Sequence, residues 1–286
     1  MRKTSYYRRL RRKNDIKRFW RNHKEIQRRL KVILTLLAVI LLLGVGIIMF
    51  LKLCAPSAEN AAVTRGTLSL VEVGVGFREE EPSTGTVTAD PDSIPDYNGE
   101  DYIVLNDNQP NFTEYDVTHI VGEHFSELDR LGRCGPAYAM IDRSMMPTEE
   151  RGEIGMIKPS GWHTVTYPDI IEDRYLYNRC HLIAYALTGQ NANELNLITG
   201  TRYMNETSML PFEIEAMQYL DDSDNHILYR VTPLFRGDDL VARGVEMEAY
   251  SVEDNGAGLC FHVFVYNYQP GIEIDYATGE SWASGS

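Results

Sequence analysis

The stretch Tyr177–Gly189, YNRCHLIAYALTG, sets one histidine, His181, directly behind Asn178-Arg179-Cys180 and at the head of an apolar run. It reads as a strand through Tyr175 to Arg179 that feeds a helix from about His181 to Leu187. Neutral imidazole at such a junction can take a proton from water near pH 7. A lone histidine between a strand and a helix is also commonplace as a structural residue, so the stretch alone leaves both readings open.

Downstream, NANELN (Asn191–Asn196) is a polar loop, and Glu206–Leu220 carries Met209, Phe212, Ala216 and Leu220 at helical spacing, with Pro211 as its weak point. The window from Arg179 to Glu213 thus gathers Arg179, His181, Asn196, Asn205 and Glu213. An asparagine oxygen can help hold a hard cation that otherwise keeps its waters. A Mg²⁺ so held would bind a phosphate oxygen and stabilise charge on a leaving oxygen, and a nearby arginine would clamp the phosphate. Against this stand plainer roles: cap or turn residues for Asn196 and Asn205, an ordinary early-helix carboxylate for Glu213.

Further out, YIVL (Tyr102–Leu105) and CGPAYAMID read as short strands, while MPTEERGEIGMIKPSGWHTVTYPDI is rich in glycine and proline and reads as loops. The segments ILYRVTPLF, LVARGVEMEAYSV and LCFHVFVYNY alternate or run apolar between turns, which describes an antiparallel meander. The expected class is α+β. Several familiar sites are missing: no glycine-rich phosphate loop, Cys-x-x-Cys pair, His-Glu-x-x-His helix or Gly-x-Ser-x-Gly elbow occurs.

The first fifty residues belong to no soluble core. Val32–Leu51 is twenty residues without a charge, and at about 1.5 Å per residue it spans about 30 Å, a bilayer's hydrocarbon thickness. Met1–Lys31 carries a net charge of +12, against −25 for the rest. The positive-inside rule then puts the N-terminus in the cytoplasm and the remainder outside the membrane. A cleaved signal peptide fits poorly, because thirty-one residues precede the apolar run and no small-x-small site follows closely. The expected organisation is a basic cytoplasmic tail (1–31) suited to anionic lipid, a transmembrane helix (32–51), an extracellular stalk (52–100) with a strand near Thr67–Val75, and a folded domain (101–286).

The external part is acidic, so a polyanion site is expected where basic residues concentrate, in residues 130–243. The external part holds three cysteines, Cys134, Cys180 and Cys260; an odd count is no disulfide framework, although one pair could form outside the cell, and they read as small buried hydrophobes.

The window YNRCHLIAYALTGQNANELNLITGTRYMNETSMLPFE resembles the DNA/RNA non-specific endonuclease family, whose core is the ββα-metal, or His-Me finger, fold. The likeness runs from about Leu128 through VYNYQPGIEIDYATGES. It is nearest to the bacterial branch of membrane-anchored nucleases of DNA uptake and type VII secretion EssD-like domains. The family signature Asp-Arg-Gly-His stands here as Asn178-Arg179-Cys180-His181. The resemblance implies an antiparallel ββα-metal core with His181 as general base and Asn205 as ligand of Mg²⁺ or Mn²⁺. Asn196 and Glu213, nine residues before and eight after Asn205, would support bound water or the transition state. Arg179 matches the motif arginine, and Arg151 is the phosphate-binding arginine by spacing, with Arg133 as its rival. Cysteine at position 180 forbids the easy positive φ of glycine. The implied activity is metal-dependent hydrolysis of DNA, with RNA as a second substrate, leaving 5′-phosphates at the outer face of a bacterial membrane. Contacts to the phosphate backbone alone would explain indifference to sequence. A non-catalytic nucleic-acid or partner-binding module and a secreted nuclease toxin are the competing readings.

Overall fold

The computed structural model describes residues 89–285. In chain order its elements are β1 (Tyr102–Val104), α1 (Glu114–His119), β2 (Glu123–Phe125), β3 (Ala137–Ile141), β4 (Tyr177–His181), α2 (Tyr185–Thr188), β5 (Leu197–Thr201), α3 (Leu210–Asp222), β6 (Ile227–Leu234), β7 (Gly244–Ser251), β8 (Cys260–Tyr266), β9 (Ile272–Ile274) and β10 (Ser281–Ala283). Six strands form one antiparallel sheet in the order β1-β8-β7-β6-β3-β2, while β4–β5 and β9–β10 are separate antiparallel pairs. The expected meander is β6–β7–β8.

Because side chains alternate along a strand, the long strands divide their residues between two faces. Tyr229 and Val231, Met247 and Ala249, and Phe261 and Val263 enter the main core with Ala137, Ala139 and Ile141. Against them pack α3, through Phe212, Ala216, Met217 and Leu220, and the hairpin region, through Cys180, Leu182, Ile183 and Ile198. This layer carries His181.

The opposite face is charged yet buried. Arg230, Glu248 and His262 lie in one row across β6, β7 and β8. Arg230 Nε donates to Glu248 Oε2 (2.6 Å), and His262 Nε2 to Glu246 Oε1 (2.6 Å). His262 Nδ1 also faces a carbonyl, that of Gln109 (2.8 Å). Two acceptors require two N–H groups, so the ring is an imidazolium. Burial alone would lower its pKa, but the Glu246 hydrogen bond and the Glu248 charge raise it overall. The remaining carboxylate oxygens accept backbone N–H groups, Ala89 onto Glu246 (2.9 Å) and Asn111 onto Glu248 (2.7 Å). A buried charge row of this kind survives because every member is paired.

That arrangement moves the start of the folded unit. Residues expected to be stalk, from Ala89 to Glu100, are packed: Ile94 is buried with Leu234, Phe264 and Tyr266, Tyr97 stacks on Tyr268 (3.7 Å), and Arg236 donates to the carbonyls of Pro91 and Ile94. The domain therefore reaches back at least to Ala89 rather than beginning near Asp101. The basic tail (1–31), the apolar segment 32–51 and the strand expected at Thr67–Val75 lie outside the described residues. Among the described residues no helix is long and apolar enough to cross a membrane.

Two boundaries differ from expectation for identifiable reasons. His181 does not open a helix; it closes β4, paired with Leu197, and α2 begins four residues later. The helix expected from Glu206 starts at Leu210, after a wide π-type turn over Met204–Ser208. A helix begun at Glu206 would put Pro211 inside it, where the missing N–H breaks the ladder; starting at Leu210 places the proline in the first turn, where no bond is lost.

Candidate active site

His181 is almost fully buried, at 5% exposure. Its Nε2 lies 2.9 Å from the carbonyl of Asn191, which can only accept, so the ring's proton sits on Nε2 and the lone pair on Nδ1. Facing Nδ1 at 3.1 Å is Arg151 Nη2. Burial, and then the Arg151 charge, hold the His181 pKa down to about 4, which keeps the imidazole a neutral base at neutral pH. The fixed tautomer therefore presents one basic atom, Nδ1, toward an exposed guanidinium.

Glu213 stands on the buried side of α3, at 7% exposure. Burial pushes its pKa up to about 7, and the same Arg151 pulls it back. Arg151 thus acts on both the base and the carboxylate. Of the two arginines that spacing suggested, Arg151 is the one brought to His181. Arg133 is held by Asp129 (2.7 Å) and the carbonyls of Gly237 and Asp239, and lies over Phe235.

Asn196 is tied to the backbone just beyond His181. It is fully buried, and its amide clamps Ile183, two residues after His181: Oδ1 accepts from Ile183 N and Nδ2 donates to Ile183 O, both at 2.9 Å. Its carbonyl accepts from Leu182 N (2.9 Å). Through these bonds Asn196 fixes the backbone that aims His181. Arg179 also serves as an anchor. Its guanidinium donates to the carbonyls of Ile157 and Gly155 and stacks over Trp162 (4.0 Å), tying the loop that carries Arg151 onto β4.

Asn205 lies half-buried in the π-type turn ahead of α3, and its side chain makes no hydrogen bond among the described residues. A neutral amide oxygen left unbonded suits a hard cation that keeps most of its waters. The residues present therefore fit a hard cation such as Mg²⁺, which Asn205 would hold. The other group of metal-ligand types, Glu246, Glu248 and His262, brings its ligand atoms within 4.8 Å. It lies on the far face of the sheet, and a cation there would have to displace Arg230 and the imidazolium.

Two contributors carried no sequence signal. Asn191 acts through its backbone oxygen, which any residue could supply. Gly152 lets the loop approach, since a Cβ there would come 2.7 Å from Asn191 Nδ2.

A sequence model of DNA/RNA non-specific endonucleases matches residues 106–253, a span that includes His181, Asn196, Asn205 and Glu213. The chain belongs to that family. This DNA/RNA non-specific endonuclease is accordingly a nuclease, and a nucleic acid is its substrate. Its fold is similar to that of NucA from Streptococcus agalactiae, solved both without metal and with a magnesium ion bound: 30% identity, 64% of this chain and 87% of that one, TM-score 0.56. The Sda1 nuclease, solved with a bound zinc ion, shares 27% identity over 58% of this chain and 83% of its own, TM-score 0.49.

Within the endonuclease, the two departures from the family signature are accommodated locally. Cys180 sits in ordinary extended strand, not in the left-handed region, so cysteine strains nothing there. Its volume fits because Gly200 lies beside it: a Cβ at position 200 would meet Cys180 Cβ and Met204 Cε, each at 2.7 Å. Burial raises the Cys180 pKa and removes it as a nucleophile, and all three described cysteines are free thiols. Asn178 donates to Glu206 (3.4 Å), which pairs with Arg202.

Proposed function

We propose that the protein is a Mg²⁺-dependent, sequence-non-specific endonuclease that hydrolyses DNA, and RNA as a second substrate, at the outer face of a bacterial membrane. The observation that carries this reading is the His181 tautomer: Nε2–H is committed to the Asn191 carbonyl, leaving Nδ1 as a neutral base beside an exposed cationic donor.

Arg151 donates to a non-bridging phosphate oxygen when substrate enters and in doing so leaves Nδ1 of His181. His181 then takes a proton from the water that attacks phosphorus, and the 3′-oxygen departs, leaving a 5′-phosphate. Glu213 holds Arg151 close to the site by charge. Asn196 and Asn191 keep the imidazole aimed, and Arg179 keeps the Arg151 loop on the hairpin. Mg²⁺, held through Asn205 and replaceable by Mn²⁺, would supply neutralisation of the phosphate and leaving-oxygen charge. The membrane location rests on the uncharged segment Val32–Leu51 and the basic residues before it.

Supercoiled plasmid incubated with the full chain in Mg²⁺, beside EDTA and His181→Ala controls, tests the chemistry. Relaxed and linear products in Mg²⁺, with a loss of about 10²–10⁴-fold in His181→Ala, are expected. Intact plasmid under every condition would leave a binding module in place of an enzyme. Fractionation tests the location: full-length chain in culture supernatant and absent from membranes would favour the secreted-toxin reading.

A further inference from the structure

We propose that Lys158 is a clamp for a backbone phosphate about two nucleotides from the scissile one, a subsite separate from Arg151. The proposal rests on the nuclease reading of the His181 site. The described residues contain ten arginines and one lysine. Seven arginines, at positions 130, 133, 143, 202, 230, 236 and 243, have a carboxylate partner within 4.0 Å. The four cations without one, Arg151, Lys158, Arg174 and Arg179, all fall between residues 151 and 179. Glu153, Asp169, Glu172 and Asp173 fall in the same span and Glu149 and Glu150 just before it, with Asp173 paired to Arg202. Three of the cations have other engagements: Arg151 at His181, Arg179 on two carbonyls and Trp162, Arg174 over Tyr175 (5.8 Å). Lys158 is exposed and makes no hydrogen bond or ion pair among the described residues.

Its loop is fixed at two points. Arg179 grips the Ile157 carbonyl on one side of Lys158, and Thr199 Oγ1 donates to the Ser160 carbonyl (2.8 Å) on the other. Arg179 and Thr199 are partners across the β4–β5 hairpin, two residues along from the His181–Leu197 pair. At about 3.3 Å per strand residue, the Lys158 loop is anchored about 7 Å from the His181 rung. A nucleic-acid strand advances about 3.4 Å of helix axis per nucleotide, so that offset corresponds to about two nucleotides. A flexible ammonium with three donors and no acceptor, released from any ion pair and held on a pinned loop, matches phosphodiester oxygens and not base edges.

Salt dependence reads this contact directly. Binding of a fluorescent duplex by the full chain is followed by anisotropy in EDTA between 50 and 200 mM salt, and cleavage in Mg²⁺ over the same range. Losing one phosphate contact lowers the slope of log K against log salt by about 0.9 for duplex DNA. Lys158→Ala is expected to show that drop and a several-fold higher KM with kcat unchanged, and Lys158→Arg to restore the slope. Arg130→Ala removes the same charge from the Asp238 pair on the surface and should leave the slope alone. An unchanged slope in Lys158→Ala, or an equal drop in Arg130→Ala, overturns the subsite. Wild type that binds but never cleaves would instead remove the nuclease reading, and the anisotropy slopes would still decide the fate of Lys158.

Discussion

Replacing Asn196 with alanine should unfold this protein before it slows it. The Asn196 amide satisfies both Ile183 N and Ile183 O, and Ile183 is fully buried. In Asn196→Ala both backbone groups lose their partner, and each orphaned buried group costs about 1–3 kcal/mol. The sum is about 2–6 kcal/mol. For a domain of roughly 200 residues, 1 kcal/mol moves Tm by about 2–4 °C, so Tm should fall by about 4–24 °C. The assay is thermal unfolding of the full chain in detergent with EDTA, alongside plasmid cleavage well below the lowered Tm. At that temperature the surviving folded protein keeps His181 and Asn205, so cleavage per folded molecule should fall far less than in His181→Ala. A variant within about 1 kcal/mol of wild type in stability but over 100-fold slower would refute the reasoning and return Asn196 to the reacting water.

Two further outcomes are expected. Glu213, pushed up to about 7 from an ordinary 4.5, stabilises the fold when protonated, so its contribution is full below 4.5 and is lost as pH rises through 7. His181, held down to about 4 from 6.5, works the opposite way: its contribution is present above 6.5 and lost as pH falls toward 4. Each displacement corresponds to about 3 kcal/mol, so the two offset each other in wild type. In metal-free Glu213→Gln the His181 loss stands alone, and urea unfolding should show the variant losing about 3 kcal/mol relative to wild type between pH 7 and pH 4; parallel profiles would sink the assignment. Gly200→Ala drives a methyl into Cys180 and Met204 and should cost about 1–3 kcal/mol, with Cys180→Gly in the same chain recovering most of it. Strictly additive effects would show that the two residues do not share that space.

The parts of the site that were legible in sequence are those whose chemistry depends on the side chain. Motif and spacing singled out His181, Arg151, Asn205 and Glu213, and the structure brings Arg151 to both His181 and Glu213. Asn196 and Arg179 were legible as positions, while the backbone groups they bind were not, because the location of those groups depends on the fold. Asn191 and Gly152 were invisible for the same reason. The meander could be read because alternation along a strand reports burial of one face. At the other face alternation alone is silent: Arg230, Glu246 and Glu248 are charged yet buried beneath the segment from Ala89 to Asn111. The helix starts were missed where tertiary pairing extended β4 to His181 and where Pro211 displaced α3.

The charge row across the back of the sheet has a mechanical meaning. The segment from Ala89 to Asn111 is fastened to the middle strands by the Ala89 and Asn111 N–H groups, the Gln109 carbonyl and the grip of Arg236. A pull on Ala89 is therefore taken up by β7 and β8 on the face away from His181. Tension would have to release these bonds and the pairing of β1 with β8 before it reached the hairpin that holds the base.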